Sequence, residues 1–90
     1  MSEKREALFA LRETIVDAQA FLVDSERFMR VLHGSFEVLA LDEGALAHRF
    51  GVSTVTVKRW RNGNAIPYKL MRAPVYKFLL ARVDQALEEP

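Results

Sequence analysis

The stretch Leu41-Asp42-Glu43-Gly44-Ala45-Leu46-Ala47-His48-Arg49-Phe50-Gly51-Val52-Ser53-Thr54-Val55-Thr56-Val57-Lys58-Arg59-Trp60-Arg61-Asn62-Gly63 decides how the chain is read. Asp42 is an N-cap residue ahead of a short helix of about Glu43–Phe50, and Ser53 repeats that role ahead of Thr54–Asn62. In both places a side-chain oxygen is positioned to accept a first-turn N–H. Gly51 breaks the first helix, and Gly63 stands where a left-handed cap closes the second. Helices this short, joined only by Gly51-Val52-Ser53, must cross closely. Ala47 is small where the second helix approaches, and Leu46 and Phe50 face Val57 and Trp60 across the crossing. Each local choice favours the same supersecondary unit.

Working outward, helical periodicity continues in both directions and nothing alternates at period two for long enough to make a strand. Ser2 is an N-cap for a first helix of roughly 3–23, whose Leu8, Leu11, Ile15, Ala18 and Leu22 form one apolar stripe. Asp24-Ser25 caps a second helix that turns Phe28, Val31 and Leu32 inward; Gly34 either ends or bends it, and the Phe36–Leu39 spacing allows it to continue beyond. Asn64–Pro67 reads as a loop, and Pro74 as the first residue of a last helix over 74–87 with Val75/Tyr76, Leu79, Val83 and Leu87 on one face. The expected fold is all-α: a single domain over 1–90, about five helices round the 42–63 unit, with a long N-terminal helix. The 3–23 helix exceeds what a core this size needs. Leu8, Leu11, Ile15 and Leu22 are therefore expected to form a dimer interface, with the 74–87 helix as a second packing or dimerisation element; the alternative is that both helices simply close the monomer core.

Composition narrows the function. The chain has 90 residues, a formal charge of +1 and no Cys. Ninety residues form one domain, and half of them are apolar, which suits a compact globule. Without Cys there is no disulfide framework, no thiolate nucleophile and no Cys-based zinc site. His33 and His48 lie 15 residues apart without a nearby ligand pair, so no metal is expected. His33 reads as a helix-end cation and His48 as a surface or phosphate-side residue. Glu13, Asp17 and Asp24 read as a solvated helix face, and no nucleophile–base constellation or phosphate-cradling glycine loop is apparent. The expectation is a non-enzyme with no cofactor. Apolar runs are far too short to span a bilayer, and residues 2–6 carry charges of both signs without a signal pattern, so a cytoplasmic, nucleoid-associated location is expected.

The near-zero net charge hides an asymmetry. Residues 1–43 hold nine acids against five bases, whereas Gly44–Val83 contains no acid and eight bases: Arg49, Lys58, Arg59, Arg61, Lys69, Arg72, Lys77 and Arg82. Such a block within a neutral chain is the footprint of a polyanion partner.

The run Leu46-Ala47, Gly51-Val52-Ser53, Val57, Arg59-Trp60, Asn62-Gly63 and Pro67 resembles the helix-turn-helix of the phage-repressor (Cro/C1, or Xre-like) family over 41–67. The resemblance implies sequence-specific binding to double-stranded DNA, with 54–62 as the recognition helix in the major groove. With Val57 and Trp60 inward, helical geometry independently turns Thr54, Val55, Lys58, Arg59 and Asn62 outward. Thr54, Val55, Lys58 and Arg59 are the candidate base readers. Arg59 can bond guanine O6 and N7 together, and Val55 and the Thr54 methyl can pack on thymine methyls. Arg49, Ser53, Asn62, Asn64, Tyr68, Lys69 and Arg72 are candidate phosphate contacts. Two positions depart from the resembled pattern: Glu43 replaces a common Gln, which weakens the phosphate clamp or moves it elsewhere, to His48 or Arg49, and Arg61 replaces a common Glu, with Glu37 as one possible swapped partner.

A transcriptional regulator binding a palindromic operator as a homodimer is therefore the expected function, acting as repressor or activator in a bacterial or phage setting. RNA polymerase or another regulator is a further partner class, through the acidic N-terminal half. Two alternatives stay open: a DNA-architectural or excisionase-like factor of a phage or mobile element, and an antitoxin-like protein-interaction module.

Overall fold

The computed structural model describes residues 2–89. The chain is all-helical, with 78% of the described residues in five helices. They are α1 (Glu3–Gln19), α2 (Ser25–Leu39), α3 (Glu43–Phe50), α4 (Thr54–Asn62) and α5 (Lys69–Glu88). Side-chain oxygens start four of them. Ser2 Oγ accepts from the Arg5 N–H, Asp24 from those of Glu26 and Arg27, Asp42 from Ala45, and Ser53 from Thr56. Each cap satisfies donors that the first helical turn leaves orphaned. Gly51 and Gly63 end α3 and α4 at φ of 67° and 76°, a region where a Cβ would crowd the backbone.

Three element boundaries differ from those expected from sequence. The first helix stops at Gln19 rather than Val23. Residues Ala20 to Asp24 instead form tight turns, with Phe21 N–H donating to Ala18 O at 3.0 Å and Asp24 N–H to Phe21 O at 3.0 Å. The second helix runs straight through Gly34, because a Cβ there would lie 3.3 Å from Leu11 Cδ1 and the bare backbone lets α1 approach. It ends at Ala40, which takes a left-handed φ of 51° without being glycine. The last helix begins at Lys69, so Pro74 lies inside it rather than at its first position. A proline ring there leaves the Leu70 carbonyl without its helical partner, but Leu70 is 78% exposed and water can reach it. Packing of Val75, Tyr76, Leu79 and Val83, each fully buried, holds the helix together across the interruption.

The core is one continuous cluster to which α1–α5 all contribute. Phe28 sits at its centre, edge-on to Trp60 with ring centroids 6.3 Å apart and tilted against Tyr76 at 5.7 Å. The N-terminal stripe faces inward: Leu8, Leu11, Ile15 and Ala18 are each at most 5% exposed. This corrects the expectation of a dimer interface at Leu8, Leu11, Ile15 and Leu22. The first three are spent within the monomer core, and Leu22 is half-buried against it. The domain needs the stripe because α2 and α5 would otherwise leave one side of their apolar surface wet.

α1 and α4 flank α2 on opposite sides. Arg27 and Gly34 of α2 meet α1, through Asp17 and Leu11. Met29 and Phe36 of α2 meet Gly63, just past α4, and Arg61 of α4. At about 100° per residue, those two pairs lie roughly 160° apart round the helix. The N-terminal helix therefore stands on the far side of the molecule from α4.

Candidate nucleic-acid interface

The interface is built on α4. Burial of Val57 and Trp60, 0% and 3% exposed, against Leu46 and Ala47 of α3 fixes the rotation of the helix. Thr54, Val55, Lys58, Arg59 and Asn62 consequently lie on its exposed face, with Val55 at 56% exposure. Past Gly63 the chain folds back on the helix end, where Asn64 and Ala65 N–H groups donate to Arg59 O at 3.0 and 3.3 Å. That leaves Asn64 exposed beside Asn62. Tyr68 and Lys69 follow, both exposed, at the start of α5, whose first turn has no side-chain cap. Free N–H groups at a helix start suit an anion.

Ser53, a candidate phosphate contact, is exposed but already engaged. Its Oγ accepts from Thr56 N–H at 3.1 Å and lies 2.9 Å from Thr56 Oγ1. Arg49 is exposed at the end of α3, and its guanidinium lies over Phe50 and Phe78 at 5.3 and 5.6 Å from the ring centroids. Arg82 reaches the same Phe78 ring at 5.9 Å. Nothing in the sequence ties Arg82 to the site. It comes from α5, and only the tertiary fold places it on the same ring as Arg49.

Arg72 does not belong with the phosphate contacts, which corrects that assignment. It is 9% exposed, and its Nε donates to Pro67 O at 2.6 Å while Nη1 donates to Leu22 O at 2.8 Å. Nη2 lies 3.3 Å from Ser25 Oγ. One guanidinium thus ties the start of α5 to the loop before it and to the α1–α2 turn.

Glu43 and Arg61 pair with each other. Arg61 Nη1 lies 2.8 Å from Glu43 Oε2, and the same guanidinium covers the Phe36 ring at 4.1 Å. Glu37, the partner considered from sequence, instead lies 3.3 Å from His33 Nε2, in mid-helix. His33 is therefore not at a helix end. Glu43 is neutralised where an acid would repel phosphate, which leaves the cleft between α2, α3 and α4 lined by His33, Glu43, Lys58, Arg61 and Asn62.

Charge is distributed unequally between the two sides. On the α1–α2 side, Arg12 pairs with Asp84 at 2.8 Å, and Arg27 pairs with Asp17 and Asp24 at 2.9 and 2.7 Å. Arg27 and two backbone N–H groups hold the Asp24 carboxyl below its ordinary range. On the α4 side, Arg49, Lys58, Arg59, Lys69 and Arg82 make no ion pair among the described residues. Uncompensated cations on a surface carry a positive potential outward, which attracts polyanions. No group of three or more His, Cys, Asp or Glu that could hold a metal ion occurs among the described residues. No helix among them is long and apolar enough to cross a membrane. Comparison of the chain with models of protein families, with curated proteins and with solved structures finds no match.

Proposed function

We propose that this chain is a sequence-specific DNA-binding regulator that inserts α4 into the major groove and acts as a homodimer on a palindromic site. The observation that carries this reading is the exposed α4 face of Thr54, Val55, Lys58 and Arg59, set among cations that no acid neutralises. In this reading Arg59 takes guanine O6 and N7, Lys58 takes guanine or a phosphate, and Val55 with the Thr54 methyl packs on thymine. Arg49, Asn62, Asn64, Tyr68 and Lys69 hold the backbone and set register without reading sequence. Arg72 is left out of the contact set, and Ser53 serves through the helix start it caps.

The dimer does not use the buried α1 stripe. Half-sites one helical turn apart hold paired recognition helices about 34 Å apart, so the dyad must pass close to each α4. Leu70, 78% exposed, follows α4 by eight residues and suits that position. Selection of bound sequences from a random pool tests the whole reading: a palindrome is expected, and retention of unrelated sequences would refute it. Arg59→Ala should then relax one base position by about 1–3 kcal/mol, whereas Lys69→Ala should weaken every sequence and lower the salt slope by about one. Equal losses from both variants on selected and random DNA would contradict the assigned roles.

A further inference from the structure

We infer that Arg82 of α5 and Arg49 of α3 form a phosphate clamp on the Phe78 ring, which grips the DNA backbone at the N-terminal end of α4; the clamp rests on the proposal that α4 binds DNA. The two guanidiniums arrive from helices far apart in the chain and meet one ring, Arg49 at 5.6 Å from its centroid and Arg82 at 5.9 Å. Phe78 is itself fixed, being half-buried and edge-on to Phe50 with centroids 5.6 Å apart. A cation over an aromatic face is attracted by the ring and gives up rotamer freedom before any ligand arrives. What the ring does not supply is an acceptor. Neither guanidinium makes a hydrogen bond or an ion pair among the described residues. By contrast, Arg5, Arg12, Arg27, Arg61 and Arg72 each donate to a protein oxygen. Arg49 and Arg82 are thus held in place with their donors unspent, and two like charges beside one ring repel. A phosphate relieves that repulsion and accepts several of those N–H groups at once.

Placement ties the clamp to α4. Only Gly51-Val52-Ser53 separates α3 from α4, so the Arg49 Cα lies within about 14 Å of the Ser53 Cα. Asn64, Tyr68 and Lys69 stand past the opposite end of the helix. With nine residues, α4 is about 14 Å long, close to the major groove's width of about 12 Å. Cations at its two ends are therefore spaced to meet the backbones on either side of that groove. The nearby acids do not cancel the clamp. Beyond Arg82, a groove between α1, α2 and α5 holds one acid, Glu89, and one base, Lys4, and so adds no net charge. Asp84 and Glu88 lie about 160° and 120° round α5 from Arg82, and Asp84 is paired with Arg12. Glu43, the acid of α3, is neutralised by Arg61.

The full chain is titrated by fluorescence anisotropy against the palindrome selected from a random pool, over a range of salt. Arg82→Gln should flatten the salt slope by about one per bound protomer and weaken binding about tenfold at ~50 mM salt, while selecting the same palindrome. Lys77→Gln removes the same charge about 140° round α5 and should leave the slope as it is. Phe78→Leu keeps apolar bulk and both charges, and should weaken binding about two- to fivefold by freeing the guanidiniums. Ethylating single phosphates locates the contact. Positions that hinder the parent but not Arg82→Gln should lie across the groove from those relieved by Lys69→Ala. Arg82 and Lys77 are exposed, and thermal melts establish that the variants fold. An unchanged slope in Arg82→Gln, an equal fall in Lys77→Gln, or unchanged affinity in Phe78→Leu would overturn the clamp and leave the α4 proposal standing. A different palindrome selected by Arg82→Gln would overturn it too, since Arg82 would then read bases. If the parent selects no DNA sequence, the α4 proposal itself fails and the clamp falls with it.

Discussion

Replacing Arg72 separates a structural strap from a phosphate contact. The side chain is 9% exposed, and it meets neutral oxygens only: Pro67 O at 2.6 Å, Leu22 O at 2.8 Å and Ser25 Oγ at 3.3 Å. Arg72→Met keeps most of the stem's packing and removes all three bonds. The Pro67 carbonyl is then left buried without a donor, at about 1–3 kcal/mol. The other two acceptors are only part-buried and recover water, so they add about 0.5–1 kcal/mol each. Releasing a desolvated cation offsets some of this, for a net loss of about 2–4 kcal/mol. In a domain of this size that lowers Tm by about 10–25 °C. Urea unfolding followed by circular dichroism measures it directly. Arg72→Lys should lose much of the same stability, because an ammonium does not reproduce the fork that reaches three separate acceptors. A loss under about 0.5 kcal/mol in Arg72→Met, together with a salt slope of DNA binding reduced by about one, would refute the strap and restore the phosphate role.

Four further outcomes follow from particular contacts. Ala40→Gly should stabilise the fold by about 0.5–1 kcal/mol in urea titrations, because glycine removes the strain of a left-handed φ at the end of α2. Gly63→Ala should cost more than Gly51→Ala: both carry the left-handed strain of about 1–2 kcal/mol, but only the Gly63 Cβ meets a neighbour, Met29 Cε at 2.6 Å. A double-mutant cycle on Glu43→Gln and Arg61→Ala should give a coupling of about 0.2–1 kcal/mol, since both side chains keep solvent access. Asp24 has its folded-state pKa lowered, by the Arg27 backbone N–H first, so its contribution is present above the ordinary value of 3.8 and is lost as pH falls through the lower folded value. Acid titration of stability should therefore be shallower in Asp24→Asn than in the parent, and an unchanged acid limb would rule out this linkage.

Four of the five helix starts were legible because they are local. Ser2, Asp24, Asp42 and Ser53 each bond an N–H two or three residues away, so the residue type and its neighbours contain the whole interaction. The stop of α2 was not legible, since Ala40 has no chemical preference for the conformation it takes. Pro74 misled in the opposite direction. Its local preference for a helix start was overridden by buried side chains on both sides of it. The exposed set on α4 was readable because two large inward residues, Val57 and Trp60, fix the rotation of so short a helix.

By itself, then, the sequence determined the all-helical class, the α3–turn–α4 unit to the residue, and which side chains α4 presents outward. These follow from hydrogen bonds and periodicity within about one or two helical turns. Tertiary structure alone decided what depends on partners far apart in the chain. It buried Leu8, Leu11 and Ile15 within the monomer, and drew Arg72 to Leu22, 50 residues away. It also joined Arg61 to Glu43, 18 residues away, as one ion pair. An apolar stripe or a lone arginine specifies that it needs a partner, not which one. Only the packing of α1, α2 and α5 against one another supplies that identity.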